Sequence, residues 1–165
     1  MKNEPLEPLE TLETLTGRLL RQKGLTLATA ESCTGGLVGH LLTNVPGSSD
    51  YYLGGIISYA NQAKMGLLGV RQETLERYGA VSQETVLEMA YGARQALSAG
   101  LGLSISGIAG PGGGTPEKPV GLVWVGLSAP GLGEAQRFLF SGDRVSIKEQ
   151  SAREALRILL AYLQR

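Results

Sequence analysis

Ser32, Cys33 and Thr34 stand side by side in the stretch "TAESCTGG", and Gly35 and Gly36 follow at once. Two hydroxyls and a thiol ahead of a glycine pair are the parts of a nucleophile on a turn, with flexible backbone behind it for a charged intermediate. A serine hydroxyl needs a base at neutral pH. The sole histidine, His40, comes eight residues after Ser32, about 12 Å of rise along a helix. A Ser-His-Asp triad is therefore disfavoured, and His40 reads as an ordinary helix residue. Lysine is the other base available, once burial or nearby cations bring its pKa from about 10.4 toward roughly 7–8. Of the five lysines, Lys2 is at the start, Lys23 ends an exposed helix and Lys148 lies on the last helix. Lys64 and Lys118 remain, and Lys64 falls near a predicted strand end. From the residues alone, a solvated helix lysine and a buried base are both open readings of Lys64. Cys33 ranks below Ser32 as a nucleophile, because most lone cysteines are packing residues.

Two further segments carry polar groups. Tyr59, Asn61 and Lys64 follow one predicted strand; Ser106 and "GIAGPGGG", with Gly110, Gly112 and Gly113, follow another. The glycine-rich run is no Walker A motif, since no Gly-Lys-Ser/Thr follows, and no G-x-G-x-x-G leads from a strand into a helix. Exposed backbone N–H groups there could still cradle a phosphate or an oxyanion; a turn that needs positive φ explains the same glycines. Arg144, in "SGDR", precedes the last predicted helix, where it could hold an anion with the helix N-terminus. A surface role fits it equally.

The elements that must position these residues follow from periodicity. Leu6, Leu9, Leu12, Leu15, Leu19 and Leu20 recur at three and four, predicting an amphipathic helix over 6–22 that Gly24 stops. A buried strand over 25–30 leads into the Ser32 turn, and 33–44 returns to a helical pattern. Strands are predicted at 53–60, 101–110, 120–128 and 134–140. Helices are predicted from Asn61, over 73–78, from Ser82, and over 145–163 capped by Asp143. Early alternation of helix and strand points to parallel crossovers, and the late strands to an antiparallel part. The expected fold is a three-layer α/β/α domain with a mixed sheet of about five strands. Ligands in such folds sit beyond the carboxyl ends of the strands, where Ser32–Gly36, Tyr59–Lys64 and Ser106–Gly114 all fall.

The totals narrow the class. At 165 residues one domain with its own core is expected. Glycine is unusual at 24 residues, about twice average usage, yet it follows no repeat. With 15 basic and 15 acidic residues the net charge is zero, and no basic run exists to neutralise a nucleic-acid backbone. One cysteine gives no internal disulfide and suits a reducing cytoplasm. One cysteine and one histidine cannot build an ordinary zinc site. The opening "MKNEPLEPLETLETL" is acidic and has no apolar core, so it does not read as a signal peptide. No apolar run approaches the ~20 residues that span a bilayer. A cytoplasmic protein, with no membrane or nucleic-acid partner, is expected.

The segments "TAESCTGG", "PGSSDYYLGGIISYANQAK", "GAVSQETVLEMA", "SGIAGPGGGTPEKPVGLVW" and "FSGDR" closely resemble, in order and spacing, the CinA C-terminal family, over about residues 10–163. Many members carry a further N-terminal domain related to molybdopterin-binding proteins, and the resemblance implies the stand-alone form. It also implies nicotinamide-nucleotide amidase activity: hydrolysis of nicotinamide mononucleotide to nicotinate mononucleotide and ammonia, within pyridine nucleotide recycling. Carried over, the active site would draw on Ser32, Ser49, Tyr59, Lys64 and position 106, where several members have threonine and this chain has Ser106. The implied mechanism is attack by Ser32 with Lys64 as base, while Tyr59, Ser49 and Ser106 relay protons or orient the amide. Ser49 could exchange roles with Ser32. Thr34, Gly35, Gly36 and the glycine-rich loop (Gly110, Gly112, Gly113) would supply substrate contacts and oxyanion donors, and Arg144 with that loop would hold the 5′-phosphate. No metal or cofactor is implied, and a homodimer is compatible with the strand content. A non-catalytic nucleotide- or phosphate-binding module of the same fold is the competing expectation.

Overall fold

The computed structural model describes residues 10–165. Helix α1 (Leu12–Lys23) begins where Thr11 Oγ1 accepts the Thr14 N–H. This satisfies a donor that a helix start leaves orphaned. The helix thus starts later than the leucine spacing predicts, and residues 6–9 of that prediction lie outside the described residues. Gly24, at φ 62°, closes it. Strand β1 (Leu27–Glu31) follows, then α2 (Leu37–Thr43), a short 3-10 turn at Ser48–Asp50 and β2 (Tyr52–Ile57). Helices α3 (Asn61–Leu68), α4 (Gln72–Tyr78) and α5 (Gln83–Ala96) lead to β3 (Leu101–Gly107), β4 (Leu122–Ala129), β5 (Leu132–Leu139) and α6 (Arg144–Leu163).

The five strands form one mixed sheet in the order β2-β1-β3-β4-β5. The first three are parallel and the last two antiparallel. Helices α1, α2 and α6 cover one face, and α5 with α3 and α4 the other, so the three-layer α/β/α reading holds. The two faces differ in side-chain size. On β3, Leu101, Leu103 and Ile105 join the core beneath α6, while Gly102, Ser104 and Ser106 alternate toward α5. A Cβ on Gly102 would lie 2.0 Å from the Ala90 carbonyl oxygen, and one on Gly126 2.5 Å from that of Val86. Only glycine lets α5 pack this close. Ser104 Oγ then donates to Val86 O at 2.6 Å, satisfying a buried hydroxyl on the same face.

Two local expectations change. Residues 33–36 form a turn rather than the start of a helix: Gly35 and Gly36 adopt φ 64° and 101°, and α2 begins at Leu37. Asn61 does not cap α3; Ala60 holds the extended cap position without a side-chain bond, and Asn61 is the first helical residue. Ser82 and Asp143 do cap α5 and α6, accepting from Thr85 N–H and Ser146 N–H. No described helix is long and apolar enough to cross a membrane.

Candidate active site

Because β1, β2 and β3 run parallel, their carboxyl ends share one edge of the sheet. Each delivers one part of the site there. After β1 the Ser32 N–H donates to Ile105 O on β3 at 2.9 Å, which pins the serine between strands. After β2 the chain turns through Ser58 and Tyr59 into α3, whose fourth residue is Lys64. Lys64 is only 1 % exposed, and its Nζ lies 3.1 Å from Ser32 Oγ, 2.7 Å from Ser58 O and 3.3 Å from Tyr59 O. Of the two open readings, the solvated helix lysine does not hold: Lys64 is buried beside Ser32.

The partner count around Lys64 is informative. A neutral amine has two N–H groups and one lone pair. With Ser58 O and Tyr59 O taking the two protons, the lone pair is left for the Ser32 hydroxyl to donate into. Burial pushes the Lys64 pKa below the ordinary lysine value, with a small opposing effect from the Cys33 sulfur, which favours that neutral state. Cys33 behaves oppositely. Burial pushes its thiol up to about 11, so it is protonated at neutral pH and inert as a nucleophile. We expect an aromatic disulfide reagent to titrate Cys33 at pH 7 only after denaturant is added, as the released chromophore will report. Rapid reaction in the folded chain would show the thiol to be accessible.

Ser32 and Lys64 open into a cavity of about 210 Å³, also lined by Cys33, Tyr59, Ser106 and Arg144. Ser106 donates its proton to Ala80 O at 2.7 Å. It therefore ties down Ala80, which with Val81 lines the opposite wall. Tyr59 is 60 % exposed; its Oη accepts from Arg144 Nη2 at 2.7 Å, while Arg144 Nη1 donates to Gly110 O at 2.7 Å. One guanidinium thus ties the glycine-rich loop to the tyrosine, and the phenolic proton remains available to a ligand.

Other expected members are placed differently. Ser49 is exposed in the 3-10 turn before β2. The six residues of β2 put about 20 Å between that turn and the Lys64 end of the sheet, so the fold does not bring Ser49 to Ser32 within this chain. Gly112 and Gly113 are exposed and do not line the cavity; Gly110 takes part through its carbonyl. The N–H groups of Gly35 and Gly36 are already engaged, with Ser32 O and Glu31 Oε2, so neither is a ready oxyanion donor. Among the described residues the Thr34 N–H has no acceptor, the Cys33 N–H meets only its own sulfur, and both follow directly on Ser32. Thr34 is 1 % exposed, with its Oγ1 also unpartnered. It lines a neighbouring cavity together with Gly35 and Gly36. His40 is exposed and pairs with Asn44 at 3.3 Å. Lys118 sits away from Ser32, donating to Tyr78 O and Val81 O. With Ser106 it holds the wall segment from both sides.

One residue of the site went unnoticed in the sequence. Glu31, the last of β1 and 2 % exposed, accepts from Gly36 N–H (3.0 Å), Val38 N–H (3.1 Å) and Gly39 N–H (2.9 Å). Its carboxylate replaces a side-chain cap for α2 and closes the Ser32–Gly36 turn over itself. The signal was a carboxylate directly ahead of a hydroxyl-and-glycine turn that leads into a helix. Among the described residues, no group of three His, Cys, Asp or Glu side chains is placed to hold a metal ion.

Comparison with known proteins agrees with this architecture. The model of the CinA C-terminal domain matches residues 9–163. A CinA-like protein of Desulforapulum autotrophicum is 54% identical over 141 residues, which are 85% of this chain and 33% of that protein. A CinA-like protein of Kosmotoga olearia is 53% identical over 138 residues, 84% of this chain and 34% of that one. The chain spans about a third of the length of these curated relatives. The crystal structure of a CinA superfamily protein from Klebsiella pneumoniae superposes with a TM-score of 0.90 at 37% identity, covering 93% of this chain and 96% of that chain. A competence/damage inducible protein from Agrobacterium tumefaciens gives 0.88 at 40%, covering 98% and 100%. The parallel strand ends that assemble the serine, the lysine and their wall are thus those of a known fold, and this chain belongs to the CinA C-terminal domain family.

Proposed function

We propose that this protein is an amidohydrolase that converts nicotinamide mononucleotide to nicotinate mononucleotide and ammonia by a serine/lysine mechanism. The observation that carries the reading is the buried Lys64 Nζ, 3.1 Å from Ser32 Oγ with two carbonyls on its other sides. Such a pair supplies what acyl transfer needs where no histidine is within reach.

In this mechanism Ser32 Oγ attacks the carboxamide carbon as its proton passes to Lys64. The resulting oxyanion meets the N–H groups of Cys33 and Thr34, and losing one such donor typically costs about 10²–10³ in rate. Lys64 returns the proton to the departing nitrogen, ammonia leaves, and an ester of Ser32 remains. Water then attacks the ester, Lys64 takes the water's proton and passes it to Ser32, and the carboxylic acid is released. Tyr59, held by Arg144, presents its O–H at the cavity mouth to orient the amide.

The test is ammonia release from nicotinamide mononucleotide, combined with rapid acid quenching and peptide mass mapping. We expect steady release and an acyl adduct on the peptide that contains Ser32. An adduct on the Ser49 peptide would reassign the nucleophile. Saturable nucleotide binding with no ammonia from the folded protein would make the site a binding module.

A further inference from the structure

The wall opposite Ser32 is thin. Ala80 and Val81 line the Ser32 cavity, and Val81 also lines a separate cavity of about 340 Å³, with Tyr78, Lys118, Trp124 and Arg137. Open space, rather than packed core, therefore stands behind the wall. Gly79, Ala80 and Val81 are accordingly only half-buried.

The backbone of this segment is held by side chains. Among the described residues no backbone N–H reaches the carbonyls of Tyr78, Gly79, Ala80 or Val81. Ser82 and Thr85, at the start of α5, serve Gly79 O, and Ser106 serves Ala80 O from β3. Lys118 alone serves both Tyr78 O and Val81 O. It arrives from the far end of the glycine-rich loop, where a turn sets its direction: Thr115 N–H donates to Lys118 O at 2.8 Å, and Lys118 N–H to Thr115 Oγ1 at 3.0 Å. Among the described residues no carboxylate pairs with Lys118, so its ammonium is spent on the wall. A Cβ on Gly79, which sits at φ 78°, would come within 3.0 Å of that Nζ. The glycine leaves the ammonium its place between two carbonyls.

An apolar cavity of about 150 Å³ holds benzene. The Ser32 cavity, at about 210 Å³, thus has room for one six-membered ring and its carboxamide and little more. The wall sets that limit opposite Ser32, and Lys118 sets the wall. Building on the serine/lysine reading, we infer that Tyr78–Val81 is a displaceable partition and that Lys118 is the positioning residue that fixes the size of acyl group admitted to Ser32. Without that ammonium the partition yields toward the outer cavity. A group larger than one ring then gains entry, and a single ring is held less closely against Ser32.

Sulfonyl fluorides test this on the full chain without any amide substrate. Ser32 Oγ attacks the sulfur, its proton passes to Lys64, the S–F bond breaks, and fluoride leaves a sulfonate ester that peptide mass mapping locates. The readout is the ratio of labelling rates for 2-naphthalenesulfonyl fluoride and methanesulfonyl fluoride. Excess bulk in a rigid pocket costs about 10–200-fold, so Lys118→Met should raise the ratio at least about tenfold. Ser106→Ala, which frees Ala80 O, should move it in the same direction. Lys118→Arg, whose forked donors reach two acceptors, should return it most of the way. In ammonia release from nicotinamide mononucleotide, Lys118→Met should lower kcat about tenfold or more, as misplacement of a reacting group does, with KM changed less. A wild-type labelling ratio in folded Lys118→Met and Ser106→Ala overturns the inference, even where Tm or kcat falls, because a merely structural lysine would do no more. Ser106→Ala decides alone if Lys118→Met does not fold. A shifted ratio without any ammonia release would sustain the partition and overturn the amidase reading alone. No labelling of wild-type Ser32 by either reagent would overturn both.

Discussion

Replacing Lys64 by methionine should leave a folded protein that releases ammonia at least about 10³-fold more slowly, since a positioned general base contributes roughly 10²–10⁴-fold and here it also activates the nucleophile. Lys64→Arg should be no better, because a guanidinium stays protonated and cannot take the serine's proton. Wild-type kcat should rise with pH through an apparent pKa below that of an ordinary lysine, following the direction in which burial moves Lys64. The same shift makes a stability statement. The folded pKa lies below the unfolded one, so between the two values the unfolded chain binds more protons than the folded chain. Stability therefore climbs with pH across that window, is flat below it, and is flat again once both states are neutral. In Lys64→Met both the activity limb and the stability slope should vanish. Chemical denaturation at a series of pH values, alongside kcat, reads both. An unchanged slope in the variant would place the titrating group elsewhere.

The second large effect belongs to Glu31, which touches no reacting atom. Glu31→Ala strands three backbone donors, those of Gly36, Val38 and Gly39. An unsatisfied or charge-assisted hydrogen bond is worth about 1–3 kcal/mol. Gly36 and Gly39 are only half-buried, so water recovers part of the loss, and we expect a net cost of about 3 kcal/mol. That corresponds to roughly 6–12 °C in Tm for a chain of this size. The rate should fall too, by about 10²-fold, the cost of misplacing a nucleophile by an ångström. Glu31→Gln keeps one carbonyl oxygen as acceptor and should fall between alanine and wild type in both measures. A thermal melt and kcat on the two variants decide the matter. An alanine variant that melts like the wild type would mean that water serves those amides and the carboxylate is a bystander.

Much of the architecture was legible in the sequence because its signals are local. The strand runs, the caps at Ser82 and Asp143 and the glycine stops all act within a few residues of where they are read. The convergence of Ser32, Lys64 and Ser106 also followed, since three parallel strands must end at one edge. What was not legible depends on packing between distant segments. Glu31 looked like the end of a strand until α2 was laid against it. The amides of Gly35 and Gly36 looked free until that carboxylate and Ser32 O claimed Gly36 and Gly35 respectively. Ser49 entered through resemblance alone, and topology, which no short motif encodes, puts it at the far end of β2. Lys118 and Ser106 share a task neither spacing nor type suggests, that of holding the wall at Tyr78–Val81.

The placement of β1 between β2 and β3 also governs when the Ser32–Lys64 pair can first be seated during synthesis. Both members of the dyad leave the ribosome early. The acceptor that pins Ser32, Ile105 O, follows roughly 70 residues after Ser32, and closing so long a loop must precede any reward from the pairing it allows. A nascent chain that has made the nucleophile, its base and the helix between them still has no third strand to seat them against. On the proposed mechanism, competence to react therefore arrives late and together with the fold.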